Sequence, residues 1–144
     1  MNHRLRFISA LEDINRQSYG TIAYAFSITV LLILLWPDNA ASVSAGVLSM
    51  SFGDGLAGLI GRQVQSPQWI IFGQRKSLAG TFTMALTVGI VLILLTIING
   101  ITVYPILLIA IVLLAVGLEQ IGPWGIDNIT VPIGVAYGWL WISA

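Results

Sequence analysis

Long apolar runs that are almost free of charge fill most of this 144-residue chain. Four of them approach the roughly 20 residues that an α-helix needs to cross the hydrocarbon core of a bilayer. Charged residues make up only 8% of the chain, against about 25% in a typical soluble domain, so they cannot cover a water-facing surface. The runs therefore predict membrane helices at residues 20–36, 40–60, 81–98, 101–118 and, as a shorter last segment, 129–142.

Helices are the expected state of these runs because backbone groups cannot stay unpaired in lipid. The alternating strands of about ten residues that build a membrane barrel are missing from the sequence. We therefore predict an all-α fold, a polytopic membrane helix bundle of about five transmembrane helices that forms one integral membrane domain over residues 1–144. Residues 1–18 are polar and mixed in charge, which predicts a cytoplasmic or interfacial segment. Small residues in the run 40–60 would allow close helix pairing, including pairing with a second copy.

Composition excludes several classes of function. The formal net charge is zero, so no electrostatic argument points to nucleic acid. The chain has no cysteine, which excludes disulfides, thiolate metal sites and a cysteine nucleophile. Its single histidine, His3, lies at the start, which excludes a histidine-rich metal site. The basic N-terminus is followed by Glu12 and Asp13 instead of an apolar run, unlike a signal peptide.

Basic residues lie on one side of the predicted bundle. They precede the first helix or lie in the loop 61–80, and they are Arg4, Arg6, Arg16, Arg62, Arg75 and Lys76. The turns on the other side, 37–39 and 99–100, have none. The positive-inside rule then places the loop 61–80 in the cytoplasm, and the loop 119–128 on the same side, two helices later. The sequence therefore predicts a multi-pass protein with one charged, cytoplasmic active face.

The stretch from Ser51 to Arg62 places a carboxylate, Asp54, inside an apolar run. Charged side chains in a membrane segment are costly, so they are treated as functional-site candidates. The glycines here match G-x-G-x-x-G, but without a strand and a βαβ unit the match is a weak dinucleotide signal. Two interpretations stay open, close helix packing and close backbone approach to a phosphate, and Asp54 favours the functional one. The recurring glycines are Gly55, Gly58 and Gly61.

A second group of polar residues stands just before the third predicted helix. Arg75 and Lys76 could bind phosphate oxygens, and Ser77 is a suitable N-cap for a helix whose free N–H groups attract anions. The simpler alternative is the ordinary basic bias of a cytoplasmic membrane edge. Together with Asp54 on the same side, the group favours phosphate binding.

A third group surrounds the Gly- and Pro-rich turn before the last segment. Glu119 precedes the turn, and Asp127 and Asn128 open the final helix, where they would also serve as ordinary helix-capping residues. As a functional group they add carboxylates opposite Asp54. Two carboxylates with basic residues suit a magnesium–nucleotide complex, because Mg²⁺ takes one or two carboxylates plus substrate phosphates. No Walker A or protein-kinase motif occurs in the sequence.

These three groups, in this order and at this spacing, resemble the CTP-dependent polyprenol kinase family. The matching residues lie at 53–62, 73–81 and, with Glu119, at 125–132. The family includes phytol kinases, dolichol kinases and CTP-dependent diacylglycerol kinases. The segment 15–21, ahead of a membrane helix, makes the phytol kinases the nearest group, and the resemblance covers about residues 12–133.

The resemblance implies an integral membrane kinase that moves the terminal phosphate of CTP or UTP to a long-chain alcohol such as phytol, with Mg²⁺ as cofactor. Asp54 and Asp127 are assigned to magnesium or to activation of the alcohol, Glu119 is a further magnesium candidate, and Asn128 completes the Asp-Asn pair. The residues assigned to nucleotide and phosphate are Gly58, Gly61, Arg62, Arg75, Lys76, Ser77 and Gly80.

One departure from the family pattern concerns the N-terminus. Family members usually begin with further membrane helices that carry an Arg-Lys-x-x-His element, which His3-Arg4 does not match, so we expect a shortened form or a partner subunit. Two alternative functions remain at this stage. A phosphatidate cytidylyltransferase would release pyrophosphate, and a small membrane transporter or structural subunit would use Asp54 for ion coupling or helix pairing.

Overall fold

The computed structural model describes the backbone of residues 3–144 and the side chains of residues 19–144 other than Trp124. The side chains of Arg4, Arg6 and Arg16, on which the topology argument partly rests, lie outside these limits.

Five α-helices build the described part of the chain, which confirms the predicted all-α fold. They are α1 (His3–Leu35), α2 (Ala40–Gln63), α3 (Leu78–Ile98), α4 (Pro105–Ile121) and α5 (Asp127–Ser143). A short 3₁₀ turn, Pro123–Gly125, precedes α5.

The segment 61–80, predicted as a loop, contains regular secondary structure. The segment forms an antiparallel hairpin of β1 (Gln68–Ile71) and β2 (Gln74–Ser77), and β2 leads directly into α3. Its turn residues, Phe72 and Gly73, both have positive φ, 49° and 75°. Two-residue turns of this kind match the right-handed twist of the flanking strands, so they close hairpins well.

The helix bounds also differ from those predicted, by up to three residues at α2, α3 and α5 and by more at α1 and α4. The segment 20–36 is the second half of the longer helix α1. The fourth helix begins at Pro105 instead of residue 101, because proline at the first helical position has a fixed φ and needs no N–H partner. It continues to Ile121, so that Glu119 lies in its last turn instead of in a loop.

Helix α2 lies at the centre of the bundle and packs against α3 and α5 through small residues. A Cβ on Gly46 would lie 2.2 Å from the Pro132 carbonyl oxygen of α5, and one on Gly53 would lie 2.5 Å from the Met84 sulfur of α3. Only glycine allows such approach without displacing a neighbour. The buried core beside these contacts includes Trp139, which is fully enclosed.

Two helices, α2 and α3, are long and apolar enough to cross a bilayer. The apolar parts of α1 (Tyr19–Leu35) and α4 are shorter. Large apolar side chains such as Ile33 and Ile98 point outward and are about three-quarters exposed, 75% and 76%. An outer surface of this kind is typical of lipid-facing helices, although five membrane crossings remain a prediction.

Candidate active site

The cavity at one end of the bundle has a volume of about 1270 Å³. It lies where α2 ends and α3 and α5 begin, because α2 and α3 run antiparallel on either side of the hairpin. Every residue that the sequence proposed for the site lines this one cavity. These residues are Asp54, Gly58, Gly61, Arg62, Arg75, Lys76, Ser77, Gly80, Glu119, Asp127 and Asn128.

A tight contact between α2 and α3 forms one boundary of the cavity. Ser77 is the N-cap of α3, as predicted, and its Oγ accepts a hydrogen bond from the Gly80 N–H at 3.1 Å. A Cβ on Gly61 would lie 2.6 Å from this Oγ, and one on Gly80 would lie 3.0 Å from the Ala57 carbonyl oxygen. Close packing therefore accounts for Gly61 and Gly80.

Gly58 has different surroundings. A Cβ there would meet only the Arg62 Nη2, at 3.8 Å, and the residue is exposed to the cavity. The backbone at Gly58 is thus open to approach by a ligand, which is the second interpretation of the glycine pattern.

Lys76 enters the cavity already paired. Its Nζ donates to both the side-chain Oε1 and the backbone oxygen of Glu119, the latter at 2.9 Å. The Asp127 Oδ2 lies 3.8 Å from the same nitrogen. The side chain of Lys76 is 11% exposed and those of both carboxylate residues 9%, so the charges are shielded from water. This burial makes the mutual pairing important, since one unpaired charge here would be strongly destabilising.

Gln120 connects this charge pair to the hairpin. Its Nε2 donates to the Glu119 Oε2 at 2.7 Å and to the Thr81 Oγ1 at 3.0 Å, while its Oε1 accepts from the Trp69 Nε1 at 3.0 Å. The sequence interpretation missed Trp69, Thr81 and Gln120. The one available signal was a second polar residue, Gln120, directly after Glu119 at the end of an apolar run.

Asp54 differs from Glu119 in its partners. Its side chain is exposed to the cavity, and among the described residues nothing hydrogen-bonds to it. Its charge is attracted by Lys76 and Arg62 and repelled by Glu119. A carboxylate in this position has its oxygens available for a ligand.

Asp127 lies at the start of α5, ahead of the apolar segment 129–142. Its Oδ1 accepts from the Asn128 N–H at 3.1 Å. Burial raises the pKa of Asp127 to about 6, Lys76 opposes this shift, and the nearby charge of Asp54 adds to it. Two carboxylates that repel each other across a cavity favour a cation between them.

Two arginines, Arg62 and Arg75, line the cavity. The Arg62 Nε donates to the Gly58 carbonyl oxygen at 2.8 Å, and its terminal nitrogens take no part in that bond. Arg75 is exposed on β2. Neither forms an ion pair within the described side chains. Arginine is suited to bidentate binding of phosphate oxygens.

The predicted magnesium ligands fit only in part. Among residues 19–144 other than Trp124, no three acidic or histidine side chains are grouped so that they could hold a metal. Glu119 is engaged by Lys76 and Gln120. Asp54 and Asp127 remain, and two carboxylates suffice for a Mg²⁺ that arrives with substrate phosphates.

Another wall of the cavity comes from α1, and its described residues are uncharged. Gly20, Thr21 and Tyr24 form it. The Tyr24 hydroxyl donates to the Val47 carbonyl oxygen at 2.8 Å and shares a hydrogen bond with the Ser51 hydroxyl, one turn of α2 before Asp54. The motifs proposed from the sequence did not include this wall.

These walls define a class of site, a polar pocket lined by acidic and basic side chains at one end of an apolar helix bundle. Comparison with known proteins identifies relatives. The chain is 38% identical over 151 aligned residues to the phytol kinase of Synechocystis sp., across 99% of the chain and 65% of that protein. It is 30% identical over 81 residues to probable phytol kinase 3, chloroplastic, of Glycine max, across 56% of the chain and 25% of that protein.

The resemblance to the phytol kinases that the motifs indicated is confirmed by these relatives. The chain spans a little less than two thirds of the length of the Synechocystis protein. No protein-family model matches the chain, and no solved structure matches it significantly.

Proposed function

We propose that this chain is a lipid-alcohol kinase that transfers the terminal phosphate of CTP or UTP to a long-chain prenol such as phytol. The observation that carries the proposal is one cavity lined by two carboxylates, Asp54 and Asp127, and by two arginines that form no ion pair among the described side chains. The similarity to proteins named phytol kinase, over nearly the whole chain, supports the same reaction and the prenol substrate.

The nucleotide phosphates bind on the hairpin side of the cavity in this proposal. Arg62 and Arg75 offer guanidinium groups to phosphate oxygens, and Lys76 adds a cation that Glu119 partly neutralises. The open backbone at Gly58 lets a phosphate approach α2 closely. Phosphoryl transfer depends mainly on positioning and on neutralising charge, which these groups supply.

The alcohol binds on the α1 side. The described residues of this wall carry no charge, and the outer surface of α1 near it is apolar, with Ile22 and Phe26 67% and 57% exposed. An isoprenoid tail could therefore remain against lipid or apolar side chains while its hydroxyl reaches the cavity. Tyr24, which lines the cavity, offers its own hydroxyl to this group in the proposal.

In the proposed reaction the alcohol oxygen bonds to the terminal phosphorus as the bond from that phosphorus to the bridging oxygen breaks. The nucleoside diphosphate leaves with the electrons of that bond, and the alcohol proton passes to a carboxylate. Asp54 and Asp127 share two tasks, accepting this proton and holding Mg²⁺. Bound magnesium supplies charge neutralisation at the transferred phosphoryl group.

The orientation in the membrane is part of the proposal. The lysines and arginines lie in the first half of α1, in the last turn of α2 or on β2, and the turns at 37–39 and 99–100 have none. The positive-inside rule then favours a multi-pass protein whose cavity faces the cytoplasm, where CTP and UTP are available.

Thermal protection and an alcohol panel test this proposal. In detergent, CTP with Mg²⁺ should raise the unfolding temperature, because a ligand that binds only the folded state stabilises it. The protein should then phosphorylate phytol in preference to water-soluble alcohols. No protection and no transfer to any lipid alcohol would support a transporter or structural subunit instead.

A further inference from the structure

The hairpin presents Arg75 and Lys76 to the cavity, and its attachment to α4 decides where these cations stand. We propose that Trp69 and Gln120 are positioning residues which hold this hairpin in register over the cavity and thereby set the affinity for the nucleotide. This inference rests on the proposed kinase function and assigns it two residues that the motifs do not contain.

The register of the hairpin is the first observation. Trp69 pairs with Lys76 across the two strands, and Ile70 pairs with Arg75. Two consecutive residues of α4 hold the two members of the first pair, since Gln120 binds Trp69 and Glu119 binds Lys76. The end of α4 thus binds both residues of this cross-strand pair, one on each strand.

A hydrogen bond between Gln120 and Glu119 connects the residue that binds Trp69 to the residue that binds Lys76. The Gln120 Nε2 lies 2.7 Å from the Glu119 Oε2, so the carboxylate that pairs with Lys76 is itself oriented by Gln120. The second bond of the same nitrogen, to Thr81 at 3.0 Å, fixes Gln120 to the first turn of α3. A glutamine with both ends bonded in this way has one defined orientation.

The hairpin needs such support because two short strands alone are marginally stable. Its base is held by backbone contact, with the Leu78 N–H donating to the Pro67 carbonyl oxygen at 2.9 Å. Apart from this backbone bond, the Trp69 indole makes the one side-chain hydrogen bond that joins β1 to a helix among the described residues. Large apolar side chains at the far end, Ile70 and Phe72, are 72% and 67% exposed and add little packing within the chain.

Loss of the Trp69 bond should therefore let the strand that carries Arg75 shift relative to Asp54 and Asp127. The nucleotide phosphates, which contact this strand in the proposed function, would bind less tightly. The α1 wall, which belongs to a different element, would keep its affinity for the alcohol. A split between the two Michaelis constants is thus the signature of a positioning role.

The test uses Trp69→Phe, which keeps an aromatic ring but removes the indole N–H, and Gln120→Met, which keeps the chain length but removes the three hydrogen bonds of the side-chain amide. Trp69→Phe should raise the KM for CTP about fivefold, as expected for one lost hydrogen bond, and Gln120→Met at least as much, with the KM for phytol unchanged in both. The double variant should be no worse than Gln120→Met alone, because both changes break one linkage. Matched controls are Trp141→Phe and Gln63→Met, at exposed positions outside the cavity.

The outcomes separate this inference from the proposed function. A wild-type protein that is neither protected by CTP nor active would overturn both. An active wild type whose KM for CTP is unchanged in Trp69→Phe and Gln120→Met would overturn the positioning role alone. Equal rises of both Michaelis constants together with a lower unfolding temperature would also overturn it, since they would indicate general loss of packing.

Discussion

The two walls of the cavity differ in how their polar groups are held. On the hairpin side, Lys76, Glu119 and Gln120 form a closed network, and the arginines stand beside it. On the α1 side, the described lining residues carry no charge, and the Tyr24 hydroxyl is hydrogen-bonded to Val47 and Ser51 of α2. Asp54 lines the same cavity with no hydrogen bond of its own among the described residues. In the proposed function, the hairpin wall binds the anion and the α1 wall admits an apolar molecule with one hydroxyl.

The largest expected effect is at the Asp54 carboxylate. Asp54→Asn should lower kcat about 10³-fold, in the range for loss of a general base, because the amide can neither accept the proton nor balance magnesium charge. Membrane insertion, measured by fractionation, should be unchanged, since Asp54 makes no hydrogen bond among the described residues. Activity within a few-fold of wild type would contradict the assignment of Asp54.

Asp127 tests whether the second carboxylate shares this work. Asp127→Asn should lower kcat about 10²-fold, a smaller loss because Lys76 and Asn128 already restrain this group. The matched control is Asp38→Asn, at the opposite end of the bundle and outside the cavity. Initial rates measure kcat for both variants. An equal loss of kcat in Asp127→Asn and Asp38→Asn would contradict the assignment of Asp127 to the site.

Arg75 tests the hairpin wall alone. Arg75→Gln should raise the KM for CTP about tenfold, the effect of one charge-assisted contact, and should leave the KM for phytol unchanged. Initial rates with each substrate varied in turn measure both constants. A rise in the KM for phytol instead would reverse the roles of the two walls.

Two glycines of α2, Gly61 at the cavity and Gly55 outside it, offer a matched pair for stability. Gly61→Ala should destabilise the protein by about 1 to 3 kcal/mol, because its Cβ would lie 2.6 Å from the Ser77 Oγ. Gly55→Ala, with nothing within 4 Å of its Cβ, should stabilise α2 by about 0.5 to 1 kcal/mol. Denaturation in detergent, monitored by circular dichroism, compares the two. Equal unfolding midpoints would contradict the close contact of α2 and α3 at Gly61.

The smallest effect is expected on the α1 wall. Tyr24→Phe should raise the KM for phytol about threefold, the loss of one hydrogen bond between neutral groups, with the KM for CTP unchanged. The phenylalanine keeps the ring, so packing of α1 is preserved. An effect on CTP alone would show that the wall binds nucleotide.

The sequence predicted the helices and the members of the site better than the contacts among them. Apolar runs form helices in lipid, and charged residues at the same end of several helices lie close together in the bundle. The proposed site residues accordingly line one cavity. The Ser77 cap was predictable because its chemistry is local. The N-terminal basic residues, by contrast, belong to the part of the chain whose side chains are not described.

Two features were beyond the sequence patterns for physical reasons. The hairpin has only four residues in each strand, and its turn places a non-glycine residue, Phe72, at positive φ, which no turn rule anticipates. The engagement of Glu119 by Lys76 and Gln120 depends on how α4 packs beside the hairpin. A carboxylate in a salt bridge and a carboxylate that is free for a ligand have similar local sequences. Only contacts with distant residues distinguish them.

The fate of labelled CTP tests the central claim most directly. Purified protein receives phytol, Mg²⁺ and CTP that is labelled either at the terminal or at the innermost phosphate. The proposed kinase predicts that only the terminal label appears in the lipid, with one CDP released for each phytyl phosphate formed. The innermost label in the lipid with release of pyrophosphate, or no label in the lipid at all, would contradict it.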